Sequence, residues 1–119
     1  MTNAMMRWLD EITAAGSCAA HRGCWHPAAD VYRTTHGWLV KFDLAGVSPT
    51  ELELHRQGRR LTVSGVRRDA LVQQGLCSYS LEINYNRFER SVELPADIDA
   101  DQIATEYHDG MLLVWLKHS

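Results

Sequence analysis

The sequence predicts an all-β fold, an antiparallel β-sandwich preceded by one short N-terminal helix. From Ala28 onward, apolar residues recur at every second position, as they do in strands with one buried face. Turn residues interrupt these runs at short intervals, and strands do not alternate with long helical segments, which favours a sandwich over a parallel sheet. The 119 residues suffice for one domain with a core, but not comfortably for two.

The first part of the chain, residues 1–26, has a different pattern and is predicted to be an N-terminal arm. Its apolar residues recur at helical spacing opposite charged ones, and Asn3 and Gly16 are suitable as its first and last caps. We therefore expect one short amphipathic helix, followed by a linker that ends at Pro27. The apolar residues of this arm are Met5, Met6, Trp8, Leu9 and Ile12.

The predicted domain proper, residues 27–117, contains a series of short strands. Alternation places them near 37–44, 51–55, 61–64, 88–94, 104–107 and 111–116. The strands 51–55 and 61–64 are expected to pair as a hairpin, and so are the last two, across the turn His108–Gly110. Turns at Gly46 and Gly110 are expected to need a positive φ or to leave no room for a Cβ atom. The strand that contains Phe88 should stop at Pro95, because proline lacks the backbone donor.

Composition and charge exclude several classes of function. The net charge of −3 leaves no basic stripe for phosphates, so nucleic acid is not an expected partner. No apolar run approaches the ~18 residues of a membrane helix, and no export signal is recognisable. With three cysteines, an odd number, the simplest inference is a reduced, cytoplasmic location.

The sequence gives no indication of an enzyme. It lacks G-x-S-x-G, G-x4-G-K and H-E-x-x-H, and it does not show whether any histidine lies near Cys77. The group Cys18, His21, Cys24 and His26 could bind zinc or, through its two cysteines, form a redox-sensitive disulfide. Its spacing matches no standard zinc finger, so ordinary linker residues are the alternative, and we expect neither a metal nor a cofactor.

Four segments share their motifs, in order, with one known family. They are ADVYRTTHGWLVKFDLAGV (Ala29–Val47), LTVSG (Leu61–Gly65), YNRFERSVELP (Tyr85–Pro95) and IATEYHDGMLLVWL (Ile103–Leu116). This series resembles the α-crystallin domain of small heat-shock proteins over about three-quarters of the chain. Two departures are Ala45, where the family usually has proline, and Val92, which replaces a phenylalanine.

The resemblance implies an immunoglobulin-like sandwich that acts as an ATP-independent chaperone, or holdase, in stress response. Such a protein binds unfolding client proteins and prevents their aggregation, without a catalytic group. The same sandwich also occurs in CS-domain co-chaperones, which dock on a larger chaperone as adaptors, and this is the alternative function.

The long segment between Gly65 and Phe88 resembles that of bacterial and plant members, in which a strand crosses to a neighbouring subunit. The resemblance therefore implies a homodimer formed by strand exchange, whereas a loop that folds back on its own subunit is the alternative. Arg90 occupies the family's strand arginine and is expected to have a carboxylate or backbone partner, with Glu82 as the candidate, whereas a solvated surface arginine is the alternative. The expected interface residues are Leu76, Tyr79, Leu81, Glu82 and Arg90.

Three surfaces are candidates for binding clients or partners. The first is the apolar face of the arm, which could instead pack on its own domain. The second is a groove between strands 51–55 and 104–107, where the family binds an Ile-x-Ile tail. Its expected residues are Leu52, Leu54, Ile103 and Thr105, of which the two leucines could instead be core.

The third surface is the last strand, whose outward residues Met111, Leu113 and Trp115 make both of its faces apolar. Coverage by the arm or by a second subunit is expected. Only residues 118–119 follow this strand, as a truncated tail without an Ile-x-Ile motif. Either the sequence is shortened at this end or the native protein forms small oligomers, and we expect a dimer as the dominant species rather than a large cage.

Overall fold

The computed structural model describes residues 7–10, 24–95 and 98–118, and these form two four-stranded β-sheets. One turn of 3-10 helix, Pro49–Glu51, precedes the fourth strand, and the only α-helix among the described residues is α1, Ala70–Gln73. The predicted all-β class is therefore confirmed. The strands are β1 (Arg7–Asp10), β2 (Ala29–Arg33), β3 (Gly37–Asp43), β4 (Leu52–Gln57), β5 (Arg60–Arg67), β6 (Asn86–Glu93), β7 (Ile98–His108) and β8 (Met111–His118).

The two sheets have the strand orders β1-β4-β5-β6 and β2-β3-β8-β7. Every pair of neighbours is antiparallel except β1 and β4, which are parallel. Both predicted hairpins are present: β4 and β5 pair up to Gln57 opposite Arg60, and β7 and β8 pair up to His108 opposite Met111.

The turn between β7 and β8 has a backbone conformation that suits its two residues, Asp109 and Gly110. Asp109 and Gly110 both have positive φ, 51° and 78°, which suits the two-residue turn that matches the twist of antiparallel strands. Gly46, between β3 and β4, has φ of 82°, so the expectation for both glycines is confirmed. These turns set the register of the strands that carry the core.

The core lies between the two sheets and consists of the inward residues of the predicted alternation. Phe42 on β3 and Phe88 on β6 are its largest members, one from each sheet, and both are almost completely buried. At the C-terminal end of β7, the Tyr107 hydroxyl donates a hydrogen bond to the Leu44 carbonyl oxygen at 2.6 Å. The other buried hydrophobic residues are Val40, Leu44, Val47, Leu52, Leu54, Leu61, Val63, Val92, Leu94, Leu112, Val114 and Leu116.

The predicted N-terminal helix is wrong at Arg7–Asp10, which form the strand β1. A helix this short is marginal in water, because few hydrogen bonds offset the cost of its first turn. The edge of β4 offers unpaired backbone donors and acceptors, and pairing there satisfies the backbone of both segments. Trp8 lies opposite Leu54 and Leu9 opposite His55. Met5, Met6 and Ile12, which belonged to the same prediction, lie outside the described residues.

The sandwich also includes residues on either side of the predicted domain proper. Trp25 forms a parallel bridge with Phe88 at the outer edge of β6, and β8 continues to His118. Across the described residues, no helix has the length and apolar character needed to span a membrane.

Candidate binding surfaces

The free edge of β2 is the first surface that the fold leaves open. Within the described residues β2 pairs only with β3, and Val31 and Tyr32 on it are 44% and 43% exposed. Lys41 lies 5.3 Å from the centre of the Tyr32 ring and 3.9 Å from the Asp30 carboxylate, so the outward side of β2 is both apolar and charged. An edge with unpaired backbone groups is suited to receive another strand.

The loop between β5 and β6, residues 68–85 and here called the β5–β6 loop, is the second surface. It contains α1 but no strand, and its large apolar side chains point into solvent. The predicted interface residues Leu76, Tyr79 and Leu81 are among them, and Tyr79 is completely exposed. So many exposed apolar side chains on one loop are unusual for a monomer and are typical of an interaction site. The full set is Leu71, Leu76, Tyr79, Leu81 and Ile83.

Arg90 has a backbone partner within the chain. Its Nη1 donates to the Pro27 carbonyl oxygen at 3.1 Å, which connects β6 to the start of the domain. Glu82 is exposed, and within the single chain the described contacts of Arg90 do not include it. The expected backbone partner is therefore present, whereas the expected pairing with Glu82 is not among the described contacts and stays a prediction.

The predicted groove residues divide between core and edge. Leu52 and Leu54 are fully buried, in agreement with the alternative that they belong to the core, while Ile103 and Thr105 on β7 are partly buried. β1 pairs with the edge of β4 that was expected to line the groove. The structure thus brings together the arm and the groove, which were predicted as separate surfaces.

The outward side of β8 carries the third predicted surface. Leu39 on β3 pairs with Trp115, which remains 41% exposed, while Met111 and Leu113 are partly buried. Tyr32 on β2 lies next to Leu39 in the register, so an apolar row crosses this sheet. The described part of the arm does not cover it, since β1 lies in the other sheet.

The cysteine and histidine group of the linker is only partly described, because Cys18 and His21 lie outside the described residues. Cys24 is disulfide-bonded, in contrast to the reduced state expected from the sequence, and a sulfur held in a disulfide is not a thiolate ligand. His26 Nδ1–H donates to the Glu89 carbonyl oxygen at 2.8 Å. Cys77, in the β5–β6 loop, is a free and exposed thiol.

Arg67, the last residue of β5, was not among the predicted site residues. Its guanidinium lies 4.2 Å from the centre of the Trp25 ring and 5.5 Å from that of Tyr85. It donates to the carbonyl oxygens of Ala45, at 2.9 Å, and of Asn84, at 2.9 and 2.6 Å. These residues are far apart in sequence, so no local pattern predicts that they meet.

Comparisons of the sequence with known proteins identify a family whose fold agrees with this β-sandwich. A family model described as the Hsp20/alpha crystallin family matches residues 30–119. Among curated relatives, the spore protein SP21 of Stigmatella aurantiaca is 30% identical over 90 residues, covering 76% of this chain and 53% of SP21. Heat shock protein 16 of Schizosaccharomyces pombe is 31% identical over 93 residues, covering 76% of this chain and 64% of that protein.

Solved structures give the same result for the fold. Heat shock protein 16.0 from Schizosaccharomyces pombe superposes with a TM-score of 0.72 at 28% identity, covering 84% of this chain and 71% of that chain. HSP18.5 from E. histolytica gives a TM-score of 0.70 at 29% identity, covering 79% of this chain and 88% of that chain. The chain spans little more than half the length of the first curated relatives that it matches.

Proposed function

We propose that this chain, which belongs to the Hsp20/alpha crystallin family, is an ATP-independent holdase that binds unfolding proteins and prevents their aggregation. Family membership supports a chaperone role, and the relatives are named for heat shock or spores rather than for a reaction. The observation that carries the proposal is the pairing of β1, a short strand of the apolar arm, with the edge of β4, because a segment held there by one edge pairing can be displaced to uncover apolar surface. We expect no enzymatic activity and no cofactor.

Holding a client requires apolar surface that can be uncovered and covered again. An unfolding protein exposes apolar segments whose burial is favourable by about 25 cal/mol per Å² of area removed from water. A surface of flexible or aromatic side chains accepts many such segments because it does not demand one shape. The arm, with Met5, Met6, Trp8, Leu9 and Ile12, has this composition.

The groove is the second proposed client or partner surface, with Leu52, Leu54, Ile103 and Thr105 at its base. Because β1 occupies the edge of β4, a client segment must displace Arg7–Asp10 before it can pair there. Displacement would free the arm and uncover the edge of β4 in one step. Pairing through the backbone suits a chaperone, since an extended segment of any sequence can form the same hydrogen bonds.

A client that aggregates on heating tests the proposed holdase activity. The client is heated with equimolar chain in the presence of apyrase, which removes ATP, and aggregation is followed by light scattering. We expect strong suppression at a near-stoichiometric ratio, whereas an unrelated protein of equal mass should have no effect. A folded chain that fails to suppress aggregation would contradict the proposal and would favour an adaptor that docks on a larger chaperone.

We further propose a homodimer in which the β5–β6 loop of each copy pairs with the open edge of β2 in the other. Two features of the single chain support this exchange: the edge residues Val31 and Tyr32 are exposed, and so are Leu76, Tyr79 and Leu81 of the loop. Pairing would bury both sets and satisfy the backbone of the edge. Glu82 would then approach Arg90 of the second copy.

A disulfide cross-link tests the exchange, because Cys77 already lies in the loop as a free thiol. In the variant Val31→Cys, mild oxidation should give a covalent dimer, since bridging requires Cα atoms within about 7 Å. Gln102→Cys, on the edge strand β7, is the matched control and should remain mostly uncross-linked. A disulfide within one chain would instead show that the loop folds back on its own subunit and would refute the exchange.

We propose the cytoplasm as the location, which is consistent with the free thiol of Cys77, whereas the disulfide of Cys24 points to an oxidising compartment. Unfolded proteins and a second copy of the chain are the proposed partners. Nucleic acid and membranes are not among them.

A further inference from the structure

Arg67 lies where separate parts of the chain meet. It ends β5 and pairs in register with Asn86, the first residue of β6, so the two residues form the base of the β5–β6 loop. The Arg67 side chain closes this base, because Nε and Nη2 both donate to the Asn84 carbonyl oxygen. Nη1 donates to the Ala45 carbonyl oxygen, which adds the turn after β3 to the same junction.

Two aromatic rings complete the junction. The guanidinium carbon lies 4.2 Å from the centre of the Trp25 ring and 5.5 Å from that of Tyr85, within the range of cation–π contacts. Tyr85 is the last residue of the loop, and Trp25 belongs to the end of the N-terminal arm. One side chain therefore contacts the arm and holds the base of the loop at the same time.

Trp25 is held firmly by its backbone and less firmly by its side chain. Its backbone N–H donates to the Arg87 carbonyl oxygen and its carbonyl oxygen accepts from Glu89, both at 3.1 Å. The ring packs on Phe88 with 5.2 Å between centres, but its buried Nε1–H has no acceptor among the described residues. The position of the ring thus depends on packing and on the Arg67 guanidinium.

We propose that Arg67 is a positioning residue that couples the seating of the arm at Trp25 to the direction in which the β5–β6 loop leaves the sandwich. The inference rests on the proposed strand exchange and adds a regulatory step to it. With Trp25 in place, the guanidinium fork fixes Asn84 and Tyr85, and the loop is held ready for a second copy. Displacement of Trp25 loosens the base of the loop and weakens the dimer.

Substitution of Arg67, which removes its guanidinium group, tests this coupling through the dissociation constant of the dimer. Arg67→Met retains the aliphatic stem but removes the charge and every donor, and we expect the dimer to dissociate about tenfold more readily. Arg67→Lys retains the charge over the rings but cannot form the fork, so it should restore only part of the affinity. The constants are measured by sedimentation velocity over a concentration series.

Arg68→Met is the matched control. It removes a guanidinium one position further along, whose partner is the Glu51 carboxylate at 3.0 Å rather than the junction. Arg68→Met should leave the dissociation constant within about twofold of the original chain, because an exposed ion pair contributes little. Equal effects of Arg67→Met and Arg68→Met would overturn the inference, since any loss of charge at this end of β5 would then suffice.

A double-mutant cycle separates coupling from simple destabilisation. Trp25→Leu alone should weaken the dimer, and Arg67→Met added to it should weaken the dimer by clearly less than it does in the original chain, because part of the effect of Arg67 passes through Trp25. A purely structural role of Arg67 would lower Tm without changing the dissociation constant of folded chains. Fully additive effects of the two substitutions would contradict the proposed coupling.

The outcome also distinguishes this inference from the proposed function. If the original chain is a dimer that suppresses aggregation and Arg67→Met dimerises equally well, only the inference fails. If the original chain is monomeric at every concentration, both the strand exchange and the inference fail. If it dimerises without suppressing aggregation, the holdase proposal fails and the coupling is still decided by the cycle.

Discussion

Tyr107 connects the end of β7 to the segment that follows β3 through one hydrogen bond, from its hydroxyl to the Leu44 carbonyl oxygen at 2.6 Å. Burial is the main cause that raises the pKa of Tyr107 above its usual value of 10.0, because the charged phenolate is poorly solvated there. In the unfolded chain the hydroxyl loses its proton near pH 10. Stability from this group is therefore complete below pH 10 and is lost as the pH rises towards the folded pKa.

Tyr107→Phe should lower the free energy of unfolding by about 1 kcal/mol at pH 7, the usual worth of one such hydrogen bond. The Leu44 carbonyl oxygen also accepts from the Val47 backbone N–H at 3.2 Å, so it keeps one partner in the variant. Above pH 10 the difference between the two proteins should shrink, because only the original chain has this ionisable group. Urea unfolding at a series of pH values measures it, and a constant difference would refute the assignment.

Gly37 shows a different constraint at the scale of one residue. A Cβ at this position would overlap the Leu116 carbonyl oxygen in the neighbouring strand. We expect Gly37→Ala to lower the free energy of unfolding by about 3 kcal/mol, because the backbones of β3 and β8 must move apart to make room for the methyl group.

Gly58→Ala is the comparison for Gly37→Ala. A Cβ at Gly58 would meet no atom within 4 Å, but its φ of 62° is strained for alanine, so about 1 kcal/mol is expected. Urea unfolding of both variants measures the two costs. Equal costs would show that close approach at Gly37 is not the limiting factor.

At this scale the sequence was a good guide to burial and a poor guide to long-range contacts. The alternation along 37–44 and 111–116 agrees with the buried residues of β3 and β8, such as Phe42 and Val114, because a strand has only two faces. The meeting of Arg67 with Trp25 and Tyr85 depends on how the sheets pack, and spacing along the chain contains no record of it.

Among the elements, β1 changes the interpretation of the arm. The apolar spacing of Met5, Leu9 and Ile12 fits a helix, but Arg7–Asp10 pair with an edge strand instead. Short segments take the structure that their tertiary partners offer, since intrinsic propensities are worth only a fraction of a kcal/mol per residue. The hairpins, by contrast, were predicted correctly because their turn residues lie next to each other in sequence.

Proline substitutions in β1 test whether it protects the edge of β4. Alternate residues of an edge strand direct their backbone groups to the neighbouring strand, so either Trp8→Pro or Leu9→Pro should remove a ladder hydrogen bond. We expect amide hydrogen exchange in Glu53–Arg56 to become at least several-fold faster in one of the two variants. Arg67, at the end of β5, should show unchanged exchange. If the amides of Glu53–Arg56 exchange as slowly in both variants as in the original chain, β1 does not cover β4 in solution.

At the scale of the whole molecule, the open edge of β2 and the exposed β5–β6 loop predict a dimer as the dominant species. Light scattering at working concentration should give a mass near twice the 13.5 kDa of one chain. A mass of twelve or more subunits would contradict this prediction, because it would require contacts beyond the exchange. The length of the loop in the sequence suggested the exchange. A single chain contains the open edge of β2 and the exposed β5–β6 loop, but it does not contain the pairing between two copies.

The most direct test of the central claim, that the chain holds unfolding proteins, is the mass of what remains soluble after a client is heated with it. Size-exclusion chromatography with light scattering, without ATP, should detect a soluble complex that contains the client and several copies of this chain. The result that would contradict the account is a client that sediments completely, while the chain elutes unchanged at the mass that it has alone.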